Sequence, residues 1–273
     1  MPIQVLHYLL STLSASFMRL RLFLPFLFVF AACEPDESLP EAPPENPAQT
    51  IVDRAIAEHG GAVLDYAVVE FDFREFHYTI TRDGGMYRYE RTFTDSTGAA
   101  IHDVLDNKGI TRTVNGEPVT LTPEETNRMA TPLNSVPYFA LLPYNLNDAA
   151  VQKRYLGEVT LAGEPYDKIE VTFQQEGGGR DFDDRFIYWF HRDHHTMDYL
   201  AYAFHVDDGG TRFREAYNVR TIDGVRFADY HNFVSDSLQT PDDPIEQYDT
   251  LMEQTELELL SDIVLENVTV RPR

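Results

Sequence analysis

Residues 69–74 read VEFDFR, with apolar side chains at the odd positions and charged side chains at the even ones. An alternation with a period of two is typical of a β-strand that buries one face and wets the other. The same alternation returns at residues 87–93 and at residues 212–219, where Arg212 and Arg214 fall on the wetted face. These stretches predict a mainly β fold built on an antiparallel sheet.

Tight-turn signals separate the alternating stretches. Asp and Asn tolerate a positive φ, and Gly has no Cβ to clash, so pairs of these residues favour hairpin turns. They occur at Asp83-Gly84-Gly85, Asn115-Gly116, Asp208-Gly209-Gly210 and Asp223-Gly224. We therefore expect neighbouring strands to pair as hairpins, with later strands at 154–162, 166–174, 184–191, 197–206, 211–221, 225–234 and 259–270.

Helices are predicted in two places. Residues 51–56 carry an apolar stripe with helical spacing, and Gly60-Gly61 ends the stripe as a helix C-cap does. Residues 122–148 contain four prolines, which predicts short helices opened by Thr122 as an N-cap. Within this segment, residues 136–144 are so apolar that we expect them to pack on the sheet or to cover a cavity.

Composition excludes several classes of function. The 273 residues include 45 acidic and 22 basic ones, for a formal net charge of −23. Such a chain lacks the basic surface that nucleic acids require, so no nucleic-acid partner is expected. It also lacks the means to dock on an anionic membrane through a basic patch. With one cysteine, the chain has no internal disulfide framework.

The N-terminal residues resemble a bacterial lipoprotein signal. Two arginines precede an apolar run at residues 22–32, which is too short for a membrane span and has the length of a signal-peptide core. The run ends at Phe30-Ala31-Ala32-Cys33, which resembles a lipobox although the family prefers Leu where Phe30 stands. We predict a signal peptide at residues 1–32, with Met18 as an alternative start, and lipidation of Cys33.

The domain organisation follows from that prediction. Residues 33–49 are acidic and proline-rich and are interpreted as a tether behind the lipidated cysteine. Residues 50–273 are expected to form one domain, because no internal linker divides them. The predicted location is the bacterial cell envelope, as an outer membrane lipoprotein facing the periplasm or the exterior.

Three segments resemble an uncharacterised bacterial lipoprotein family of the LolA/LolB-like lipoprotein-carrier superfamily. They are residues 84–91 (GGMYRYER), 135–144 (SVPYFALLPY) and 199–202 (YLAY), and the similarity covers most of residues 50–235. The resemblance implies a curved antiparallel sheet, or half β-barrel, wrapped around an N-terminal helix and short lid helices. It also implies a cavity for acyl chains, and it carries over no catalytic residue and no cofactor.

Aromatic side chains are the leading candidates for a binding site. With the resemblance, they indicate a cavity that takes a lipid or another apolar small molecule, with a few polar contacts from tyrosine hydroxyls. A packed aromatic core is the alternative interpretation. The candidate ligand-binding residues are Tyr87, Tyr89, Tyr138, Phe139, Leu142, Tyr188 and Tyr202.

Metal chemistry is a weaker prediction. His191, His194 and His195 lie near Asp198 and could serve a metal-dependent hydrolase, but neighbours on a strand point to opposite faces, which favours a polar turn. The loop with Asp181, Asp183 and Asp184 offers oxygen ligands for calcium, although an exposed acidic loop is the better interpretation in so acidic a chain.

Two further polar side chains suggest a functional role, but a structural role is enough to explain each of them. His59 is expected to complement the dipole at the end of the first helix, and Lys168 is expected to be exposed or paired. No nucleophile elbow and no phosphate-binding loop occur in the sequence. The leading hypothesis is a membrane-anchored binding protein; the alternatives are a metal-dependent hydrolase and a ligand-free interaction or structural domain.

Overall fold

Two antiparallel sheets of seven strands each make up most of the structure, a computed structural model that describes residues 46–176, 182–206 and 208–273. Residues 44–273 form a compact unit that contains its own apolar core, which is what independent folding requires. The predicted signal peptide, Cys33 and almost all of the predicted tether lie outside the described residues.

The first sheet collects the N-terminal strands and the last strand of the chain. Its members are β1 (Ala67–Phe73), β2 (Phe76–Asp83), β3 (Met86–Thr94), β4 (Ala100–Asp106), β5 (Gly109–Val114), β6 (Glu117–Val119) and β14 (Glu266–Pro272). Six of them form a meander, and β14 pairs with β1, which gives the order β14-β1-β2-β3-β4-β5-β6.

The second sheet is a meander of the remaining strands. They are β7 (Val151–Leu161), β8 (Glu164–Phe173), β9 (Arg185–His191), β10 (Met197–Phe204), β11 (Gly210–Ile222), β12 (Val225–Val234) and β13 (Glu258–Ile263), in the order β13-β12-β11-β10-β9-β8-β7. No strand pairing among the described residues links the two sheets, so the strands do not close into a barrel. The predicted mainly β, open half-barrel class is therefore confirmed.

The end of the chain departs from the prediction of one strand over 259–270. It forms β13 and β14, which belong to different sheets. Between them, the backbone N–H of Leu265 donates to Asp229 Oδ1 over 3.0 Å, and Arg220 Nη2 donates to the Leu265 carbonyl over 2.6 Å. The side chains of Asp229 and Arg220 thus bind the N–H and carbonyl of Leu265, which would otherwise have continued the hydrogen-bonded ladder between strands.

The predicted hairpins form at the predicted turns. Asp83 pairs with Met86 across Gly84-Gly85, and the turns at Asn115-Gly116 and Asp223-Gly224 join β5 to β6 and β11 to β12. Asn115 and Asp223 have φ values of 51° and 46°, in the left-handed region that these two residue types tolerate.

The first predicted helix is α1 (Pro47–Glu58), which buries Ala48, Val52 and Ala55. A short second helix, α2 (Gly61–Leu64), follows Gly60, whose φ is 85°. A Cβ on Gly60 would lie 2.2 Å from the Gly224 carbonyl oxygen, so only glycine lets the helix end approach the β11–β12 hairpin this closely.

The segment after β6 forms one long helix, α3 (Pro123–Ala140), where short helices are predicted from its prolines. Thr122 and Glu125 form a capping box at its start, as the N-cap prediction requires. Pro132 and Pro137 lie inside the helix and remove two of its backbone donors. Tertiary packing overrides that cost, because Met129, Leu133, Val136, Pro137 and Ala140 are buried.

The two faces of the second sheet are both covered. One face joins the main core with the first sheet, α1 and α3. The other face packs beneath α4 (Tyr248–Glu253) in a separate cluster around Trp189, Phe213 and Tyr248. In this second cluster Lys168 pairs with the buried Asp249, as the sequence predicts for this lysine.

His59 clamps the end of α1 to the second sheet. Its Nδ1 lies 2.8 Å from the Ala55 carbonyl, which can only accept, so Nδ1 carries the proton. Its Nε2 accepts from Arg226 Nη1 over 3.2 Å, and Arg226 also donates to Asp198 Oδ1 over 2.8 Å. Burial, followed by the charge of Arg226, lowers the pKa of His59 from 6.5 to about 4. The ring is therefore neutral at pH 7, and it complements the end of the helix through the Nδ1–H bond to the Ala55 carbonyl and not through a positive charge.

This pKa predicts an acid-sensitive contribution of His59 to stability. The unfolded chain binds the His59 proton near pH 6.5, whereas the folded chain resists it down to about pH 4. The stabilising contribution of the neutral ring is therefore complete above pH 6.5. It declines as the pH falls from 6.5 to about 4 and is lost below that, a total loss of roughly 3 kcal/mol in the free energy of unfolding. Urea unfolding of the wild type and of His59→Gln, measured from pH 8 to pH 4, should show a steeper decline for the wild type.

His194→Gln is the matched control, because the His194 side chain is exposed and makes no ion pair among the described residues. Its unfolding free energy should follow the pH dependence of the wild type. Parallel curves for the wild type and His59→Gln would show that His59 takes up its proton equally in the folded and unfolded chains, against this assignment.

Candidate functional site

A pocket of about 410 Å³ lies between the C-terminal half of α3 and strands of both sheets. Its volume falls within the range of roughly 300–1,000 Å³ that is usual for small-molecule sites. Its apolar walls are formed by Phe73, Tyr138, Phe139, Leu142, Phe173, Phe186, Leu200, Tyr202 and Ile263, and its polar side chains are Arg74, Asn134, Ser135, Asp184 and Arg214.

The period-two pattern of the second sheet builds one wall. On β9, Phe186 is directed to the pocket and the main core, while Ile187 and Trp189 join the cluster on the opposite face. On β10, Leu200 and Tyr202 share the pocket side. Alternation along two adjacent strands therefore concentrates large apolar side chains on one surface.

The long helix builds the facing wall. Asn134, Ser135, Tyr138 and Phe139 recur at i, i+1, i+4 and i+5, which places them along one face of α3. Leu142 follows just after the helix ends.

Aromatic rings of the α3 segment contact aromatic rings of both sheets at the pocket. Phe139 meets Phe73 edge to face at 5.4 Å between ring centroids, and Tyr138 meets Phe173 at 6.3 Å. Phe173 in turn meets Phe186 at 5.8 Å, and Phe186 stacks on Tyr202 at 5.7 Å. The chain of contacts joins helix and sheet into one apolar lining.

Four of the predicted ligand-binding residues meet at this pocket, namely Tyr138, Phe139, Leu142 and Tyr202. Tyr188 is fully buried beside it and stacks on Phe186 with an interplanar angle of 4°. Tyr87 and Tyr89 are not among its lining residues.

Tyr87 and Tyr89 belong to a different group on the first sheet. Their ring centroids are 5.1 Å apart, and the Tyr89 hydroxyl accepts from Arg82 Nη1 over 2.8 Å. The Arg82 guanidinium also lies 4.7 Å from the ring centroid of Tyr144, which follows the long helix. This group connects β2 and β3 to the end of the α3 segment.

Sequence reasoning missed Arg214 as a site residue. The alternation around Phe213 assigns Phe213 to the core and Arg214 to water, and Phe213 is indeed buried. Because both faces of the second sheet are covered, the face opposite Phe213 is the pocket wall, and Arg214 lines it. An alternation with a period of two assigns residues to the two faces of a strand but does not show which face is exposed to solvent.

Two tyrosine hydroxyls are buried next to the apolar lining without a hydrogen-bond partner among the described residues, those of Tyr138 and Tyr188. Burial raises the pKa of Tyr138 and, together with the nearby Tyr138, that of Tyr188. Both hydroxyls therefore stay protonated at physiological pH and keep a proton to donate.

The predicted histidine cluster does not bring three metal ligands together within the described part of the chain. His191 is buried, and its Nδ1 accepts the backbone N–H groups of Asp193 and His194, each over 3.2 Å. Its Nε2 lies 3.5 Å from a Glu164 carboxylate oxygen. The His191 ring thus organises the β9–β10 turn.

A different group, Asp183, Asp184 and His205, does place three possible ligand atoms within 4.8 Å of one another. His205 Nδ1 lies 3.8 Å from Asp183 and 3.7 Å from Asp184. Asp183 and His205 are exposed, so solvent competes for both. Asp181, the third acid of the predicted calcium loop, lies outside the described residues.

The first sheet carries a larger depression of about 670 Å³, but its chemistry is different. Its histidines already pair with carboxylates: His77 Nδ1 lies 2.7 Å from Asp72, and His102 Nε2 lies 2.7 Å from Glu90. The predicted aromatic residues are not part of its lining. The pocket at α3 is therefore the stronger candidate.

Comparison with known proteins gives the family. A family model, "Family of unknown function (DUF6503)", matches residues 43–265. The chain belongs to DUF6503. No curated protein sequence matches this DUF6503 protein significantly.

Solved structures similar to this DUF6503 protein share little sequence with it. A DUF1329 family protein from Desulfovibrio piger ATCC 29098 is 14% identical, with a TM-score of 0.44, over 82% of this chain and 93% of its own. A LolA superfamily protein from Nitrosomonas europaea is 10% identical, with a TM-score of 0.42, over 74% of this chain and 96% of its own. Within the described residues, none of the helices has both the length and the apolar character needed to span a bilayer.

The unpartnered hydroxyl of Tyr188 predicts an uncommon result for a core substitution. A buried hydroxyl without a partner costs about 1–3 kcal/mol of desolvation, so Tyr188→Phe should raise the free energy of unfolding by about 1 kcal/mol or leave it unchanged. Denaturant unfolding of the 44–273 domain measures this change.

Tyr248→Phe is the matched control. The Tyr248 side chain is equally buried, but its hydroxyl lies 2.7 Å from Thr211 Oγ1. Its removal should lower the free energy of unfolding by about 1 kcal/mol. Equal losses in both variants would mean that the Tyr188 hydroxyl is satisfied.

Proposed function

We propose that this protein is a membrane-anchored binding protein of the bacterial cell envelope that holds a lipid or another apolar molecule in the α3 pocket. The observation that carries the proposal is the meeting of Tyr138, Phe139 and Leu142 of the α3 segment with an aromatic wall of the second sheet. Four of the residues selected from sequence for apolar binding converge there.

The driving force for binding is the removal of apolar ligand surface from water. Each CH₂ group transferred into such a lining contributes about 0.8 kcal/mol. The unpartnered hydroxyl of Tyr138, a lining residue, would then be available to polar atoms of a ligand. An apolar pocket with a few polar groups is the usual composition of a small-molecule site.

Anchoring rests on the N-terminal sequence. The apolar run that ends at Cys33 supports cleavage before that residue and attachment of diacylglycerol to its thiol. The acidic, proline-rich residues 34–49 would then hold the domain at a distance from the bilayer.

The alternative of a metal-dependent hydrolase has less support. It needs ligands from residues 191–198, and within the described residues these do not assemble a set of three. A ligand-free interaction domain would need the α3 pocket to bind nothing. The binding experiment below separates that alternative from the proposal.

Removing one wall of the pocket should weaken ligand binding. Phe139 lines the pocket and contacts Phe73. Phe139→Ala should lower the affinity for an apolar fluorescent probe at least about tenfold, because the probe loses contact with a large aromatic side chain. Fluorescence titration of the 44–273 domain measures the affinity. Leu142 is less suitable, because it is buried in the main core and a polar replacement would destabilise the fold.

Phe233→Ala is the matched control, since Phe233 is a partly buried aromatic that packs on the opposite cluster of the second sheet. It should keep wild-type probe affinity even though it loses comparable packing. Equal affinity in Phe139→Ala and Phe233→Ala would argue against the pocket, and no probe binding to the wild type would favour the ligand-free alternative.

The anchor can be tested independently of the pocket. In a Gram-negative host fed labelled palmitate, the wild-type chain should incorporate label and sediment with membranes, whereas Cys33→Ser should do neither, because no other thiol is present. Equal labelling of the two proteins would contradict lipidation at Cys33.

A further inference from the structure

We propose that the ligand of the α3 pocket carries an anionic oxygen head group, a carboxylate or a phosphate, that binds Arg214. This inference rests on the proposed function and adds the chemical class of the ligand. It follows from the position, partners and charge balance of one arginine.

The Arg214 guanidinium lies close to two aromatic rings of the pocket. Its Cζ lies 5.4 Å from the ring centroid of Phe139 and 5.0 Å from that of Tyr202. Nη2 donates to the Tyr202 hydroxyl over 3.0 Å, and Nε lies 3.4 Å from Asn232 Oδ1. These neutral partners fix the plane of the guanidinium and use two of its five N–H donors.

Arg214 makes no ion pair within the described residues, although acids outnumber bases in the chain by about two to one. Most arginines of the described part do pair with a carboxylate: Arg88, Arg91, Arg112, Arg154, Arg185, Arg192, Arg220, Arg226, Arg271 and Arg273. A partly buried guanidinium that lines a ligand pocket and has no carboxylate partner can obtain its counter-charge from a bound anion.

The charge balance of the pocket supports the same ligand. Arg74 also lines it and makes no ion pair within the described part of the chain; its guanidinium lies 5.1 Å from the Phe73 ring centroid. Asp184 is the acidic lining residue, and it has His205 within 3.7 Å. Among the described lining residues, two guanidinium groups therefore accompany one carboxylate, which gives this part of the lining a net positive charge within a strongly acidic protein.

The geometry suits an amphiphile. A planar guanidinium binds carboxylate or phosphate oxygens through two parallel N–H donors. The apolar chain of the same ligand would lie along Phe173, Phe186 and Leu200. A neutral head group would leave the guanidinium without a counter-charge when the ligand displaces water from it.

A head-group series on the unmodified 44–273 domain tests the inference. Dodecanoate, dodecyl phosphate and dodecanol share one apolar chain, and each is titrated by displacement of an apolar fluorescent probe. The two anions should bind at least about tenfold more tightly than dodecanol, because a hydrogen bond to a charged group typically contributes that much to affinity. The ratio between the two anions tells which oxygen head group the site prefers.

Arg214→Gln should remove this preference, so that the variant binds the two anions and dodecanol with similar affinity. Arg212→Gln is the matched control, because Arg212 lies two residues away on β11, packs on Phe204 and makes no ion pair within the described residues, but does not line the pocket. That variant should keep the wild-type preference.

The outcomes separate this inference from the proposed function. Equal affinity of the wild type for all three compounds overturns the anionic head group and leaves apolar binding intact. Equal loss of preference in Arg214→Gln and Arg212→Gln overturns the role of Arg214. Failure of all three compounds and the probe to bind overturns the proposed function and the inference together.

Discussion

The architecture depends on how the backbone of Leu265 is satisfied. Asp229 Oδ1 accepts the Leu265 N–H, and Arg220 donates to its carbonyl. Asp229 is 1% exposed; Arg220 at 3.1 Å balances its charge, and Asn218 Nδ2 donates a hydrogen bond to it over 2.6 Å. Since both backbone groups are taken by side chains, the ladder stops between β13 and β14 and the chain passes into the other sheet. A continuous ladder would have extended one sheet and removed the division that houses α1 and α3.

Much of this fold can be predicted from the sequence because its signals are local. The alternation at residues 69–74, the Asp-Gly and Asn-Gly turns and the Thr122 capping box each act within a few residues. The two features that escaped prediction are tertiary. The break at Leu265 requires Asp229, which is 36 residues away, and α3 continues through Pro132 and Pro137 because its buried face is held from outside.

The candidate site could also be predicted in part, where its signals are local in sequence. Tyr138 and Phe139 stand out because the segment from residue 136 is too apolar for an exposed connection. Tyr87 and Tyr89 satisfy the same aromatic criterion, yet they lie on β3, which contributes no residue to the described lining. Arg214 escaped because an alternating charged residue is read as solvated, whereas here a helix covers that face. Which strands share a sheet, and which faces are covered, depends on contacts that no short window of sequence contains.

The position of α3 connects the sheet junction to the pocket. The helix packs on β3, β4 and β5 of the first sheet, so that sheet sets where Tyr138 and Phe139 stand. The opposite wall, with Phe186 and Tyr202, belongs to the second sheet. Because the two walls are carried by different sheets, the width of the pocket depends on the spacing of the sheets, and the junction at Leu265 is one of the places where the chain passes between them. A change at the Asp229 junction would therefore alter the width of the pocket even though Asp229 does not line it.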